Sequence, residues 1–196
     1  MPDMILDGTG TGKLAKVDNE NRLRTYSIVQ SSLEHSVDEG NGYFIHTGVI
    51  TLTDAAETPI LYLKSNETRD LIIDSLFIGL GTSTNGTATV QATITVVKNA
   101  TAGTIVSGAT AVDINSNRNF GSNKALSADA YKGATGNTMT DGSDHIIMYQ
   151  EDFTQIEYNL TEELTPGSSI GVKLTPPTSN TSLPCYAAIV CHLGEE

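Results

Sequence analysis

The stretch TATVQATITVVK, residues 87–98, places Ala88, Val90, Ala92, Ile94 and Val96 at every second position, with Thr and Gln between them. Side chains on an extended chain alternate between two faces, so this is the pattern of a strand with one buried side and one solvated side. Segments of the same kind recur along the chain. They are expected near Thr25 to Gln30, Tyr43 to Thr53, Pro59 to Lys64, Leu71 to Leu80, Ala88 to Lys98, Thr104 to Ile114, Ile146 to Gln150, Thr154 to Leu160, Ser169 to Thr175 and Cys185 to Leu193. Turn chemistry separates them: TSTNG at 82–86, NATAG at 99–103, TPGS at 165–168 and PPTSN at 176–180. No convincing crossover helix links any two strands, and parallel pairing needs such a connection. The expected fold is therefore all-β, an antiparallel two-sheet sandwich that is jelly-roll-like, with an immunoglobulin-like sandwich or a closed barrel behind it.

Two segments, LIIDSLFIGLG and CYAAIVCHL, are apolar on both faces. Such strands are expected at the centre of the sandwich or with their outer face against another chain, because an exposed two-sided apolar strand aggregates. Helix is expected only in SSLEHSVDEG, 31–40, with a Ser start and a Gly stop, and in NKALSADAYKG, 123–133. Residues 115–145 read as a long polar excursion between strands, and loops of that length are usually functional or touch a partner. Few aromatic residues (6%) and few charged ones (17%), with abundant Thr, Ser, Asn and Gly, agree with a strand-and-turn protein in one large domain.

The chemistry of sites is sparse. DGTGTGKLAKVD, residues 7–18, suggests a phosphate loop, but only three residues separate Gly8 from Gly12, and Lys13 is followed by Leu14 rather than Ser or Thr. It reads instead as a flexible arm built on Gly8, Gly10 and Gly12. His35, His46, His145 and His192 fit no metal-ligand spacing, and His46 and His192 are expected as structural histidines within strands. Asp141, Asp144 and His145 share the turn DGSDH, which lacks the remaining oxygen ligands and closing Glu of a calcium loop, so no metal and no cofactor are expected. There is no G-x-S-x-G elbow, and neither cysteine has the flanking pattern of a catalytic thiol. The doublets Glu162–Glu163 and Glu151–Asp152 point to opposite faces of a strand, unlike a hydrolase pair. Glycan binding has few aromatics to use: Trp is missing, Tyr43, Tyr62, Tyr149 and Tyr158 fall in expected strands, and only Tyr131 falls in the excursion. The expectation is no enzyme.

Cys185 and Cys191, six residues apart in one strand, would be separated by about 20 Å, too far to bridge. Two buried thiols are expected, and with them folding in a cytoplasm, which the absence of a basic-then-apolar leader at MPDMILDG also suggests. The Asn-x-Ser/Thr sequons at Asn66, Asn85, Asn99, Asn159 and Asn180 then read as turn chemistry. A net charge of −12 opposes binding to nucleic acid or anionic lipid, and no apolar run reaches membrane-spanning length, so neither is an expected partner.

The chain resembles a group of small virion structural proteins of tailed bacteriophages. The resemblance rests on GTGTGKLAKVDNENRL, on GNGYFIHTGVITLT followed by TPILYLKSNETRDLIID, on NRNFGSNKAL with AYKG, and on SSIGVKLTPPTSN with YAAIVCHL. It implies a β-sandwich of the particle surface that decorates and cements the capsid or sits at the junction of head and tail. Its implied partners are the major capsid protein or other virion proteins and further copies of itself, a trimer being favoured, with assembly in the host cytoplasm. The residues fit that role: arm residues 1–24 would precede a single domain at 25–196. Within the arm Lys13, Lys16, Arg22 and Arg24 gather four of the eleven basic residues, so the acidic excess sits in the body. Expected contacts are this arm and, in the excursion, Arg118, Phe120, Tyr131 and Lys132. The alternative is a host-receptor or glycan-binding module of a phage fibre or tail.

Overall fold

The computed structural model describes residues 5–6, 14–15, 31–82, 91–107, 109–151, 154–177 and 182–194. Two compact units divide the chain, Met1–Ser31 and Ser32–Glu196. In the first, β1 (Ile5–Leu6) pairs antiparallel with β2 (Leu14–Ala15), so this part of the expected arm folds back on itself. Gly8, Gly10, Gly12, Lys13, Lys16, Arg22, Arg24 and the expected strand at 25–30 lie outside the described residues.

The second unit begins with α1 (Ser32–Asp38), stopped by Gly40 at φ 76° as the sequence anticipates. Strands β3 (Gly42–His46), β4 (Ile50–Leu52), β5 (Thr58–Ser65), β6 (Leu71–Leu80) and β7 (Gln91–Lys98) follow. After them come α2 (Thr104–Ser107), β8 (Thr110–Ala111), β9 (Ala128–Lys132), β10 (Ser143–Glu151), β11 (Gln155–Leu164), β12 (Ser169–Thr175) and β13 (Leu183–Leu193). One sheet runs β10-β7-β12-β5-β9-β8, the other β11-β6-β13-β3, with β4 also on β13, and every pairing is antiparallel.

That order is a jelly roll. With β3 and β4 taken as one strand, and β8 and β9 set aside as an insertion, the first strand pairs with the last (β3/β4 with β13). Moving inward, β5 pairs with β12, β6 with β11 and β7 with β10, so the chain is one long hairpin rolled into two sheets. Its inner faces meet in one core that includes Ile45, Leu52, Ile60, Leu76, Ile78, Ile94, Val172, Leu174 and Ile189, each fully buried and stabilising by roughly 1.5–3 kcal/mol. Ala92, Ile94 and Val96 of β7 face this core as the alternation predicts. A smaller cluster, Tyr62, Val97, Ala100, Ile105 and Met139, covers part of the outer face of the six-stranded sheet.

Three local expectations are corrected. The strand expected over 43–53 is split at Thr47–Gly48, where Gly48 takes φ 64° and Thr47 Oγ1 accepts the Ala187 N–H at 3.0 Å. The strand expected over 104–114 is a single helical turn and a two-residue strand. Gly103 turns the chain at φ 111°, Thr138 Oγ1 accepts the Thr104 N–H, and the Thr138 carbonyl accepts that of Ile105. The helix expected over 123–133 is absent. Residues 128–132 form β9, because the ladder to β5 outweighs a weak local preference for helix.

The two-sided apolar strands, β6 and β13, lie side by side at the centre of their sheet. Their outer faces are shielded in part by the sheet's own side chains: Ala188, opposite Phe77, and Val190, opposite Phe44, are buried, while the two rings meet edge to face at 6.4 Å and stay half-buried.

Candidate interaction flank

A two-sheet sandwich has four lateral edges, and unpaired edge strands invite association. On one flank, the segment between β8 and β9 guards the edges. The Ser116 carbonyl accepts the Phe44 N–H and the Gly42 carbonyl accepts that of Arg118, both at 2.9 Å, while Tyr43 bridges Asn117. The segment therefore runs along the outer edge of β3, and then β9 covers the edge of β5. Close packing demands Gly133 here, since a Cβ at that position would sit 1.8 Å from the Pro59 carbonyl oxygen. The excursion expected to reach a partner thus serves largely as the fold's own edge cover. Asn117 Nδ2 donates to the Gly40 carbonyl at 2.7 Å, Lys124 Nζ donates to Asn41 Oδ1 at 3.0 Å, and Leu126 is 2% exposed.

The four contact residues expected there divide accordingly. Arg118 belongs to the cover through its backbone. Tyr131 and Lys132 lie in β9 rather than in a loop, and the Tyr131 ring stacks on Tyr62 at 6.3 Å. Of the four, Arg118 and Phe120 are exposed, Phe120 fully so.

The opposite flank is built from β10 and β11, the terminal strands of the two sheets. Ile146 and Met148 of β10, with Tyr158 and Leu160 of β11, pack against the core but remain half-exposed, and among the described residues no further strand covers them. Burial raises the Tyr158 hydroxyl pKa above its ordinary value. Ile147 and Tyr149 point outward, 57% and 66% exposed. At the β11 end Gln150 Nε2 donates to the Ile78 and Thr154 carbonyls, tying β10 to the other sheet. At the far end His145 Nε2 lies 2.9 Å from Glu162 Oε1 beside a cleft of about 240 Å³ that Lys98, Glu163 and Ser169 also line.

This cleft contains one imidazole–carboxylate contact, with both side chains about 40% exposed. Asp141 and Asp144 do not converge on it: Asp141 Oδ2 accepts from Thr101 Oγ1, and Asp144 Oδ1 is 4.0 Å from Lys173 Nζ. Among the described residues no three of His, Cys, Asp and Glu gather as metal ligands, and no helix is long and apolar enough to cross a membrane. His192, 3% exposed, is a satisfied structural histidine, its Nδ1 2.8 Å from Asp74 Oδ2.

Both cysteines are free and buried. Burial pushes the Cys185 thiol from 9.0 up to about 12, and burial with the charge of Asp74 pushes Cys191 up as well, against a smaller opposite pull from Arg118. Because the thiolate is the reactive form, neither thiol is expected to take up an aromatic disulfide reagent at pH 8 until denaturant is added, when both react. A folded state that holds protons more tightly is stabilised below the unfolded thiol pKa and loses that contribution as pH rises through the folded value. The urea midpoint is therefore expected to fall between about pH 9 and 12, and to fall less in the Cys185→Ala, Cys191→Ala double variant.

The reading of the residues missed Ile147 and Tyr149. The signal was present: IIMY at 146–149 is apolar on both faces, as are the two segments singled out above.

Neither a family model nor a curated protein matches the chain. Among solved structures, the crystal structure of Yersinia pseudotuberculosis-derived mitogen (YPM) is similar at 15% identity and a TM-score of 0.31, over 80% of this chain and 89% of that one.

Proposed function

We propose that this protein is a non-enzymatic structural component of a phage particle, a capsid decoration or cement protein that stabilises the shell through contacts with the major capsid protein, other virion proteins and its own copies. The observation that carries the reading is the β10/β11 flank. Two long edge strands present half-exposed inner-face residues and two outward apolar side chains beside them, whereas the other flank is closed by the chain itself. A surface of that kind suits a protein that works by being covered. The resemblance to virion structural proteins supplies the particle. A jelly roll supplies a rigid body whose edges and loops are free for neighbours.

The test is to add purified protein to shells that lack it and sediment the mixture. Co-sedimentation and a higher temperature of shell disruption are expected. Failure to bind shells, together with binding to host cells or to a glycan array, would move the protein to the receptor-binding class.

A further inference from the structure

We propose that β10 pairs antiparallel with β10 of a second copy, about a two-fold axis at Met148, so that the six-stranded sheet continues from one subunit into the next. The inference names one contact of the self-association proposed above, and it is tested without any particle.

The four lateral edges are not equally protected. The β3 edge is covered by residues 115–118, and the sheet that β5 belongs to ends in β8, only two residues long. The β11 edge carries two protective devices. A bulge between Asn159 and Glu162, with Thr161 at φ 52°, breaks its ladder, and its exposed positions are Gln155, Glu157, Asn159, Thr161 and Glu163. Bulges, charges, shortness and covers are the means by which sheets avoid pairing with other chains. β10 has a bulge only at its start, between Asp144 and Ile146. From Ile146 to Gln150 its register on β7 is unbroken and its residues carry no charge, in a chain of net charge −12.

The register follows from charge and face. In a continuous antiparallel sheet, directly opposite residues share a face. With the axis at Met148, Ile147 of each copy lies opposite Tyr149 of the other, so the two outward apolar side chains cover one another, an aliphatic–aromatic pair made twice. At both ends Glu151 faces the bulge at His145, an imidazole that attracts or hydrogen-bonds to the carboxylate rather than repelling it. Asp144 keeps its place opposite Val97, one residue beyond the bulged His145. An axis at Ile147 would bring Tyr149 against the bulged His145. An axis at Tyr149 would seat Glu151 on Ile147, with no partner for the carboxylate. The strand therefore favours a second copy of itself in one register, and a two-fold contact of this kind is self-complementary.

The experiment uses the full chain. Sedimentation equilibrium is expected to give an even multiple of the 20.8 kDa subunit, and Ile147→Lys, at a solvent-facing position, is expected to halve that mass with an unchanged circular dichroism spectrum. Register is read by oxidation. A mixture of Ile147→Cys and Tyr149→Cys chains is expected to give a disulfide-linked dimer at several times the yield of either variant alone, since opposite Cα atoms lie within bridging distance and the diagonal ones do not. A monomeric or odd-numbered parent, a mass unchanged in Ile147→Lys, or equal yields from the mixture and the single variants would each overturn the pairing. Protection of Ile147→Cys from thiol reagents in a monomer would mean that the same chain covers the edge, and would overturn the pairing as well. An Ile147→Lys protein of unchanged mass that still binds shells would sink this contact and leave the particle reading standing.

Discussion

Replacing Leu126 by Ala is expected to cost about 2–5 kcal/mol, while replacing Phe120 by Ser in the same excursion is expected to change stability by less than about 0.5 kcal/mol. The contrast follows from where the segment lies. Leu126 is 2% exposed and belongs to the main core between the sheets, although it stands in a stretch rich in Asn and Ser with no strand of its own. Phe120 is fully exposed six residues earlier. For a chain of this size the Leu126 variant should melt roughly 4–20 °C lower by calorimetry. It should also aggregate more readily, because loosening the cover frees the hydrogen-bonding edges of β3 and β5. Were the excursion a mobile contact loop, the two variants would melt together near the parent and only partner binding would change; that outcome would remove the edge-cover assignment.

The strands and the architecture were legible because period-2 patterning is a local signal. β5, β6, β12 and β13 lie close to their expected bounds, and eight long strands without crossover helices leave few ways to bury their faces. The excursion was not legible, since its role depends on which edges the rest of the fold leaves free. NKALSADAYKG has the composition of a short helix, yet Ala128–Lys132 extends because β5 offers a complete ladder. Thr104–Ser107 has the apolar content of a strand, yet Gly103 and the hydrogen bonds from Thr138 hold it as one helical turn over Val97 and Tyr62. The flank was hidden for the same reason. HIIMYQ is apolar on both faces, as a strand at the centre of a sheet also is, and only the topology shows that one of its sides is unpaired among the described residues. For Lys13, Lys16, Arg22 and Arg24 the sequence remains the whole argument, resting on their charge.

Deleting residues 1–31 is expected to leave the jelly roll folded, with a melting temperature within about 3 °C of the parent, and to abolish binding to shells. The first half rests on the division of the chain into compact units, which falls at Ser31. The second half rests on charge. The deletion removes four of the eleven basic residues; Asp3, Asp7, Asp18 and Glu20 leave with them, but Lys13, Lys16, Arg22 and Arg24 are the closest gathering of cations in the chain and the one most able to meet an acidic neighbour. Length and charge separate with a full-length variant carrying Lys13→Gln, Lys16→Gln, Arg22→Gln and Arg24→Gln. If charge docks the segment, this variant should bind as poorly as the deletion, and parent binding should weaken steeply as salt rises from about 0.05 to 0.5 M, where screening shortens from about 14 to 4 Å. If apolar contact docks it, the fourfold variant should bind like the parent at every salt concentration while the deletion still fails. Full occupancy of shells by the deletion variant would end the arm assignment altogether and leave the β10/β11 flank as the surface to which the shell contact must be traced.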